Sequence, residues 1–598
     1  MSQSGIRSTR SVSIFNILPM GAALLLCAAN TAYAAVQTQA SQMRAVVERF
    51  SADTRSLERT YDLPQSSART VRMEKFYTDE LADLKKLDFD AMSEEDKADY
   101  LLLQNRVTSD LHQLAIENKQ TEETAPLLPF AKTIIDLDDA RRRMEPPNSE
   151  KAAGDLSEMV KAIAATQKQL QAKLVTPGGV GVSKVVANRA VNNLNDLSGA
   201  LKDWFDFYNG YDPAFTWWVD EPYKNAAKSL KDYSAFLKEK VIGIAADDKT
   251  TIIGDPVGRD ALMAELEDNM IPYTPEELIS IAQTEMDWCM KQMLQASNDM
   301  GYGNDWHRAL EHVKTMHVEP GQQPELIRKL VVQGIDFADK NDLVTIPPLA
   351  RETWRMEMMS PQRQLVNPFF TGGPIISISF PTDTMTYDQR EMSMRGNNIP
   401  FAHATAFHEM IPGHFLQSYM GQRYHPYRRA FGTPFWSEGN AFYWETLYWD
   451  KGFDTTPEER IGALFWRMHR SARVIFTMRF HLGQWTPQQC VDFLIQSVGH
   501  ERDNAVAEVR RSFDGSVGPL YQSAYLMGAL QFRALHKELV DSGKMTNRQF
   551  NDAVLHENEM PVEMLRAILT RQKLARDFKT NWKFYGPHPS SDASESRK

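Results

Sequence analysis

The chain has 598 residues, with 67 Lys and Arg against 78 Asp and Glu and a formal net charge of −11. A protein that grips nucleic acid by its phosphates is net basic or carries a long basic block, and this chain has neither. With 42% hydrophobic and 24% charged residues it is globular, not disordered or collagenous, and its length favours a large core split into lobes.

Residues 1–34 carry the three parts of a signal peptide. Arg7 and Arg10 supply positive charge, Ile17 to Ala29 form an apolar stretch of 13 residues, and Ala32-Tyr33-Ala34 gives a small-x-small cleavage pattern. A membrane span needs about 20 apolar residues. Cleavage after Ala34 is therefore expected in preference to a retained anchor. Cys27 raises a lipoprotein alternative, but Leu26 stands where a lipobox wants a small residue. No later segment is long and apolar enough for a span. The mature chain is expected in the periplasm or secreted, without stable membrane insertion. Its remaining cysteines, Cys289 and Cys490, lie too far apart in sequence for a zinc–thiolate motif. Whether they bridge, and how many chains assemble, stays open at this point.

Helix formers dominate from residue 38 to about 175, and residues 35–260 read as an N-terminal helical lobe. Breaks fall at Glu145-Pro146-Pro147-Asn148, Thr176-Pro177-Gly178-Gly179 and Glu319-Pro320-Gly321. Three helix starts share one signature: Thr274-Pro275-Glu276-Glu277, Thr456-Pro457-Glu458-Glu459 and Thr486-Pro487-Gln488-Gln489. Each puts Thr at N-cap, Pro at N1 and Glu or Gln at N3, so that cap and N3 side chain satisfy free amides reciprocally. Residues 261–585 are expected to form the catalytic region, and 586–598, rich in Ser, Pro and charge, a flexible tail. Within the catalytic region, Gly373 to Phe380 alternates Ile and Ser over Ile376–Ser379 between Gly and Pro. That predicts an edge strand of a small sheet, along which an extended peptide could pair.

The informative segment is His408-Glu409-Met410-Ile411-Pro412-Gly413-His414. Two His on one helix face, with a Glu after the first, is the zinc-peptidase arrangement, but its usual spacing is i,i+4. Here the spacing is i,i+6. On a regular helix the two imidazoles would point about 120° apart and lie about 9 Å apart along the axis. Pro412 offers the remedy. It lacks an N–H and clashes with the carbonyl of His408, so the helix must bulge or break there. His414 can then return towards His408.

A third ligand is expected from Trp436-Ser437-Glu438-Gly439-Asn440-Ala441-Phe442-Tyr443-Trp444-Glu445. Glu438 is the choice. Glu445, two turns further on the same face, is placed to back a ligating His. Apolar neighbours argue against two solvated helix acids, because a carboxylate among them wants a cationic partner. His403, five residues before His408, is a rival ligand.

The motif His-Glu-x-x-Pro-Gly-His-x-x-Gln, followed by Glu-Gly-x-Ala-x-Tyr-x-Glu, resembles the bacterial "domain of unknown function 885" proteins. The resemblance extends to Arg470-Ser471-Ala472-Arg473, His481-Leu482-Gly483-Gln484-Trp485, Glu508-Val509-Arg510-Arg511 and Tyr525-Leu526-Met527-Gly528. Departures are Asn440 where the family often has Trp, Thr477 for a common Asp, and Pro519-Leu520-Tyr521-Gln522 for a Pro-Gly-Gln-Ala run. The resemblance implies a zinc metallopeptidase, distantly similar to helical carboxypeptidase, oligopeptidase and angiotensin-converting-enzyme folds.

The expected architecture is mainly α, a two-lobed helical metallopeptidase-like fold with a small β-sheet beside the active-site cleft. The expected reaction is hydrolysis of peptide bonds, in short peptides. Zn2+ would be held by His408, His414 and Glu438 with one position open to water. Glu409 would act as general base. His481 and Tyr525 are candidates to stabilise the oxyanion. Arg473 and Arg511 are candidates for a substrate carboxylate, with Tyr443 lining the cleft. Two alternatives use the same residues: a zinc hydrolase of another amide or ester, and a non-catalytic binding protein that keeps the fold.

Overall fold

The computed structural model describes residues 41–175, 182–245, 248, 251–364 and 369–586. The leader over 1–34 and the tail beyond Gly586 lie outside the described residues. The described chain is mainly α-helical. Capping boxes close the helix starts at Thr274, Thr456 and Thr486, as their sequence predicts. Two more, at Thr386 and Thr546, work without a proline. Each cap stabilises its helix by about 1 kcal/mol. Among the described residues no helix is long and apolar enough to cross a membrane.

Buried side chains gather in two clusters. One joins Met43–Leu114 to residues between Leu262 and Phe584; the other runs mostly from Leu127 to Ile242. The site belongs to the first. Its helices are α1 (Pro275–Asp299), α2 (Gln323–Lys340), α3 (Ile399–Glu409), α4 (His414–Gly421), α5 (Pro434–Asp450), α6 (Pro457–His481), α7 (Arg502–Phe513) and α8 (Tyr521–His536). From Leu464 to Met478 every residue of α6 is buried. A helix surrounded on all sides must pair its charges. Three arginines of α6 reach three different helices: Arg467 to Glu285 of α1 at 3.0 Å, Arg470 to Glu445 of α5 at 3.3 Å, and Arg473 to Glu508 of α7 at 2.7 and 3.0 Å.

Helices α5 and α8 meet backbone to backbone through Gly439 and Gly528. A Cβ on Gly439 would lie 2.5 Å from the Gly528 Cα, and one on Gly528 would lie 2.1 Å from the Phe435 carbonyl oxygen. Only glycine permits this approach, and it brings Glu438 against the first turns of α8.

The sheet is two short parallel strands, β1 (Met356–Met358) and β2 (Ile376–Ile378), paired Met356 to Ile376 and Met358 to Ile378. β2 is not the free edge that its alternation suggests. Its other side is bridged by Thr371, which exchanges two backbone hydrogen bonds with Ser377. Ser377 and Ser379 are buried because their hydroxyls donate to Glu357 and Gln364. A peptide therefore cannot add along β2. The loop through Gly372 that leads into β2 borders the cleft instead. Cys289 and Cys490 are both free thiols, buried, and pushed up to about 12 by that burial.

Candidate metal centre

α3 stops at Glu409, and α4 begins at His414. The helix thus breaks outright at Met410–Gly413. The break leaves few free backbone groups. The Gly413 N–H donates to the Phe407 carbonyl at 3.0 Å, and the Phe415 N–H to that of Met410 at 3.0 Å. Gly413 is pressed on the preceding turn: a Cβ there would sit 1.7 Å from the His408 carbonyl oxygen. The result is the juxtaposition that regular helix geometry forbids. The His408 and His414 rings lie 4.9 Å apart, edge to face at 84°.

Glu438 of α5 completes the cluster. Its Oε2 is 3.1 Å from His414 Nε2 and 3.8 Å from His408 Nε2. Bonds of about 2.1 Å at tetrahedral angles hold ligand atoms about 3.4 Å apart. The two distances bracket that value, so Glu438 is placed to share a small four-coordinate cation with either imidazole. Glu409 stands beside it, with Oε1 3.9 Å from His408 Nε2 and Oε2 accepting the Gly372 N–H. Its carboxylate oxygen, His408 and His414 cluster within 4.8 Å of one another.

Each imidazole is held from behind. Glu445 Oε1 lies 2.6 Å from His408 Nδ1, and Gln417 Oε1 lies 3.1 Å from His414 Nδ1. Gln417 is fixed in turn by donating to Ser437 O and Asn440 Oδ1. Protons on both Nδ1 atoms leave both Nε2 atoms free to ligate. Tyr521 of α8 donates to Glu438 Oε1 at 2.5 Å. Without a cation, burial opposes charge on both imidazoles, but the surrounding carboxylates outweigh it. His408 is raised, and His414 is held up to about 9, chiefly by Glu438. Burial likewise opposes ionisation of Glu438, yet the two histidines hold it well below the usual carboxylate range.

Beside the centre lies a cavity of about 210 Å³ walled by Phe370, Phe401, Trp466, Arg470, Arg473, Arg511 and Tyr525, among others. The Tyr525 ring lies 4.7 Å from the Arg470 guanidinium and 4.5 Å from that of Arg473. Its hydroxyl has no hydrogen-bond partner among the described residues. Arg511 reaches over the Tyr521 ring at 5.7 Å.

Three sequence candidates lie elsewhere. His481 is eight residues beyond Arg473, about 12 Å along the axis of α6. It packs on Phe480 and Phe513, its Nδ1 accepts the Val257 N–H at 3.4 Å, and it lines a separate cavity with Glu265 and Ser512. It cannot serve an oxyanion at the centre. Tyr443 is five residues past Glu438, about 140° round the helix. It points into the core against Phe532 and Phe550. His403, as far round α3 from His408, stacks on Phe453 with Nε2 3.6 Å from Asp454. No sequence motif marks Arg470 as a cavity residue or Gly372 as a partner of Glu409, and Tyr521 is only weakly marked. Tyr521 had one signal, since it stands in the Pro519–Gln522 run that departs from the family pattern.

Burial also gives the fold an acid limit. It pushes His481 down to about 4 and His500 down to about 3, against about 6.5 in an unfolded chain. Both stay neutral in the fold, while the unfolded chain takes up their protons. Their contribution to stability is complete above pH 6.5 and is lost as pH falls towards 4. Glu265 and Asp454, acids that burial pushes up to about 7 and about 8, oppose this slope, so the test is a comparison. The drop in Tm from pH 6.5 to 4.5 should be smaller in His481→Gln than in wild type, and equal drops would contradict the burial account.

Solved structures with this fold exist. One, described as a lipoprotein of unknown function from Shewanella oneidensis, superposes with a TM-score of 0.65 at 16% identity, over 89% of this chain and 100% of its own. A second, described as a lipoprotein from Colwellia psychrerythraea, gives 0.49 at 17% identity, over 71% of this chain and 77% of its own. At these identities only the fold is shared, and the second likeness is too weak to argue from. No curated protein matches the sequence. The sequence profile described as "Bacterial protein of unknown function (DUF885)" matches residues 38–569, and the chain belongs to that family.

Proposed function

We propose that the protein is an exported zinc-dependent metallopeptidase acting on short peptides. The observation that carries this reading is the convergence of His408 Nε2, His414 Nε2 and Glu438 Oε2, with the Glu409 carboxylate also within reach of the two histidines; the reading takes Glu438 as the third ligand and leaves Glu409 as the base. Zinc held by these three would supply a Lewis acid that polarises the scissile carbonyl and acidifies water. Glu409 is the general base. Its Oε2 is fixed by the Gly372 N–H, and Oε1 is left to take the proton of the attacking water and pass it to the leaving amine. Tyr525 donates its unpartnered hydroxyl to the developing oxyanion. Burial raises its pKa, so the phenol keeps its proton at neutral pH. Glu445 and Gln417 hold the imidazoles, and Tyr521 holds Glu438.

Export rests on the leader. The structurally similar Shewanella protein is described as a lipoprotein, but Leu26 before Cys27 favours a cleaved, unlipidated chain here.

Metal content of the purified mature protein tests the centre. Elemental analysis should find about one zinc per wild-type chain and none in His414→Ala, which loses one of three protein ligands. Zinc retained by the variant would remove His414 from the site. No metal in either protein, even after zinc is added, would sink the metallopeptidase reading.

A further inference from the structure

Two spaces flank the centre, and they differ in kind. Both touch Gly372, His414 and Glu438. One is a groove of about 290 Å³ that passes Gln417 and Ser437 and reaches the surface at the exposed Arg429. The other is the cavity of about 210 Å³ behind Tyr525. Both are smaller than sites for drug-sized ligands, which run to about 300–1,000 Å³, so each has room for about one residue, and the groove continues to solvent at Arg429.

The inner cavity carries cationic charge that the protein leaves partly unanswered. Arg470, Arg473 and Arg511 all line it. Two carboxylates pair with them, while Glu409 and Glu438, which also line the cavity, face the histidines. Glu508 takes Arg473 through Nε and Nη2, and Glu445 is divided between Arg470 and His408. Arg511 makes no ion pair within 4 Å among the described residues; it lies over the Tyr521 ring and feels Glu508 and Glu438 only at longer range. Arg473 Nη1 and Arg470 Nε are buried without a hydrogen-bond partner, on residues 3% and 4% exposed. A buried donor left unmade costs about 1–3 kcal/mol, more when charged. Such a cavity is built for an anion brought by the ligand, and guanidinium forks match a carboxylate.

We infer that the cavity takes the C-terminal residue of a peptide, with its free α-carboxylate held by Arg511 and by the spare donors of Arg473 and Arg470. The protein is then a carboxypeptidase that releases one residue per turnover. The scissile carbonyl lies over the centre, the rest of the peptide leaves along the open groove, and water adds across the bond to give a new carboxylate and a free amino acid. This inference rests on the peptidase reading, and the experiment separates the two.

Binding is measured first on metal-free protein by calorimetry, so that no turnover is needed. The probes are N-acetyl-phenylalanine, its C-terminal amide, and N-acetyl-glutamate α-amide, which carries only a side-chain carboxylate. N-acetyl-phenylalanine should bind at least tenfold more tightly than either amide, and Arg511→Gln should remove that preference while its Tm stays near wild type. Equal binding of the acid and its amide would overturn the inference without any variant. Preference for the glutamate α-amide would assign the arginines to a side chain and overturn it too. Peptide digests of the zinc-loaded protein, read by mass spectrometry, form the second arm. Stepwise loss of C-terminal residues, with amidated peptides resistant, supports both readings. Internal cuts that ignore amidation leave a peptidase and overturn the inference. Selective binding of the acid with no cleavage of any peptide supports the subsite and overturns the peptidase reading.

Discussion

Glu409→Gln yields a protein that folds and takes up zinc but hydrolyses peptides about 10²–10⁴ times more slowly. Glu409 contributes no atom to the His408–His414–Glu438 donor set, so metal stoichiometry is unchanged. Gln has the same shape and cannot accept a proton. The Gly372 N–H still finds an amide oxygen, which keeps the side chain in place. Initial rates beside elemental analysis decide the matter. A variant with full zinc and wild-type rate would show that Glu409 is not the base. It would favour a different reaction at the centre, because Glu445, the other nearby carboxylate, sits behind His408 at its Nδ1 and not on the ligand side.

Gly413→Ala removes the centre altogether. The added methyl would lie 1.7 Å from the His408 carbonyl oxygen and 2.4 Å from its carbon, both backbone atoms that cannot rotate away. The turn must open, and His414 moves with it. Displacement by an ångström takes Nε2 out of bonding range of an ion held by His408 and Glu438. Zinc content should fall from about one per chain to near zero, with activity lost in parallel. The helices remain, because their caps and buried contacts lie outside the turn, so far-ultraviolet circular dichroism should be close to wild type. A Gly413→Ala protein that binds zinc normally would mean that the break tolerates a side chain and that the geometry of Met410–Gly413 is not what sets the site.

The legible parts of this protein are local ones. A capping box is written in four residues, and all three that the sequence marks are present. The centre was legible because its odd spacing came with its own explanation: Pro412 and Gly413 lie between the two histidines. Counting two helical turns from Glu438 sets Glu445 behind a ligating His, and the structure shows which: its Oε1 lies 2.6 Å from His408 Nδ1. Failures came where a residue's role depends on what packs against it. His481 belongs to the same helix as Arg473, but nothing in a 25-residue helix tells which end meets the centre. Tyr443 shares a motif with Glu438 yet faces the opposite way. The Ile-Ser alternation of β2 signals one wet face, and the structure covers both, with Thr371 closing the second edge. Tyr521 reaches Glu438 only because Gly439 and Gly528 let α5 and α8 touch, a long-range contact that no local pattern encodes.

The arrangement around His408 also fixes an electroneutrality condition. Glu409, Glu438 and Glu445 bring three negative charges together, and Arg470 answers one of them. A divalent cation would settle the remainder. In its absence the imidazoles answer instead by keeping protons, which is why His414 is held up to about 9. On the proposed reading, the centre would exchange protons for metal. Ion uptake at neutral pH would expel protons, and apparent affinity should climb with pH, about tenfold per unit for each proton expelled, levelling off above the pH near 9 at which His414 loses its own. Calorimetric titration in buffers of different ionisation enthalpy counts the expelled protons directly.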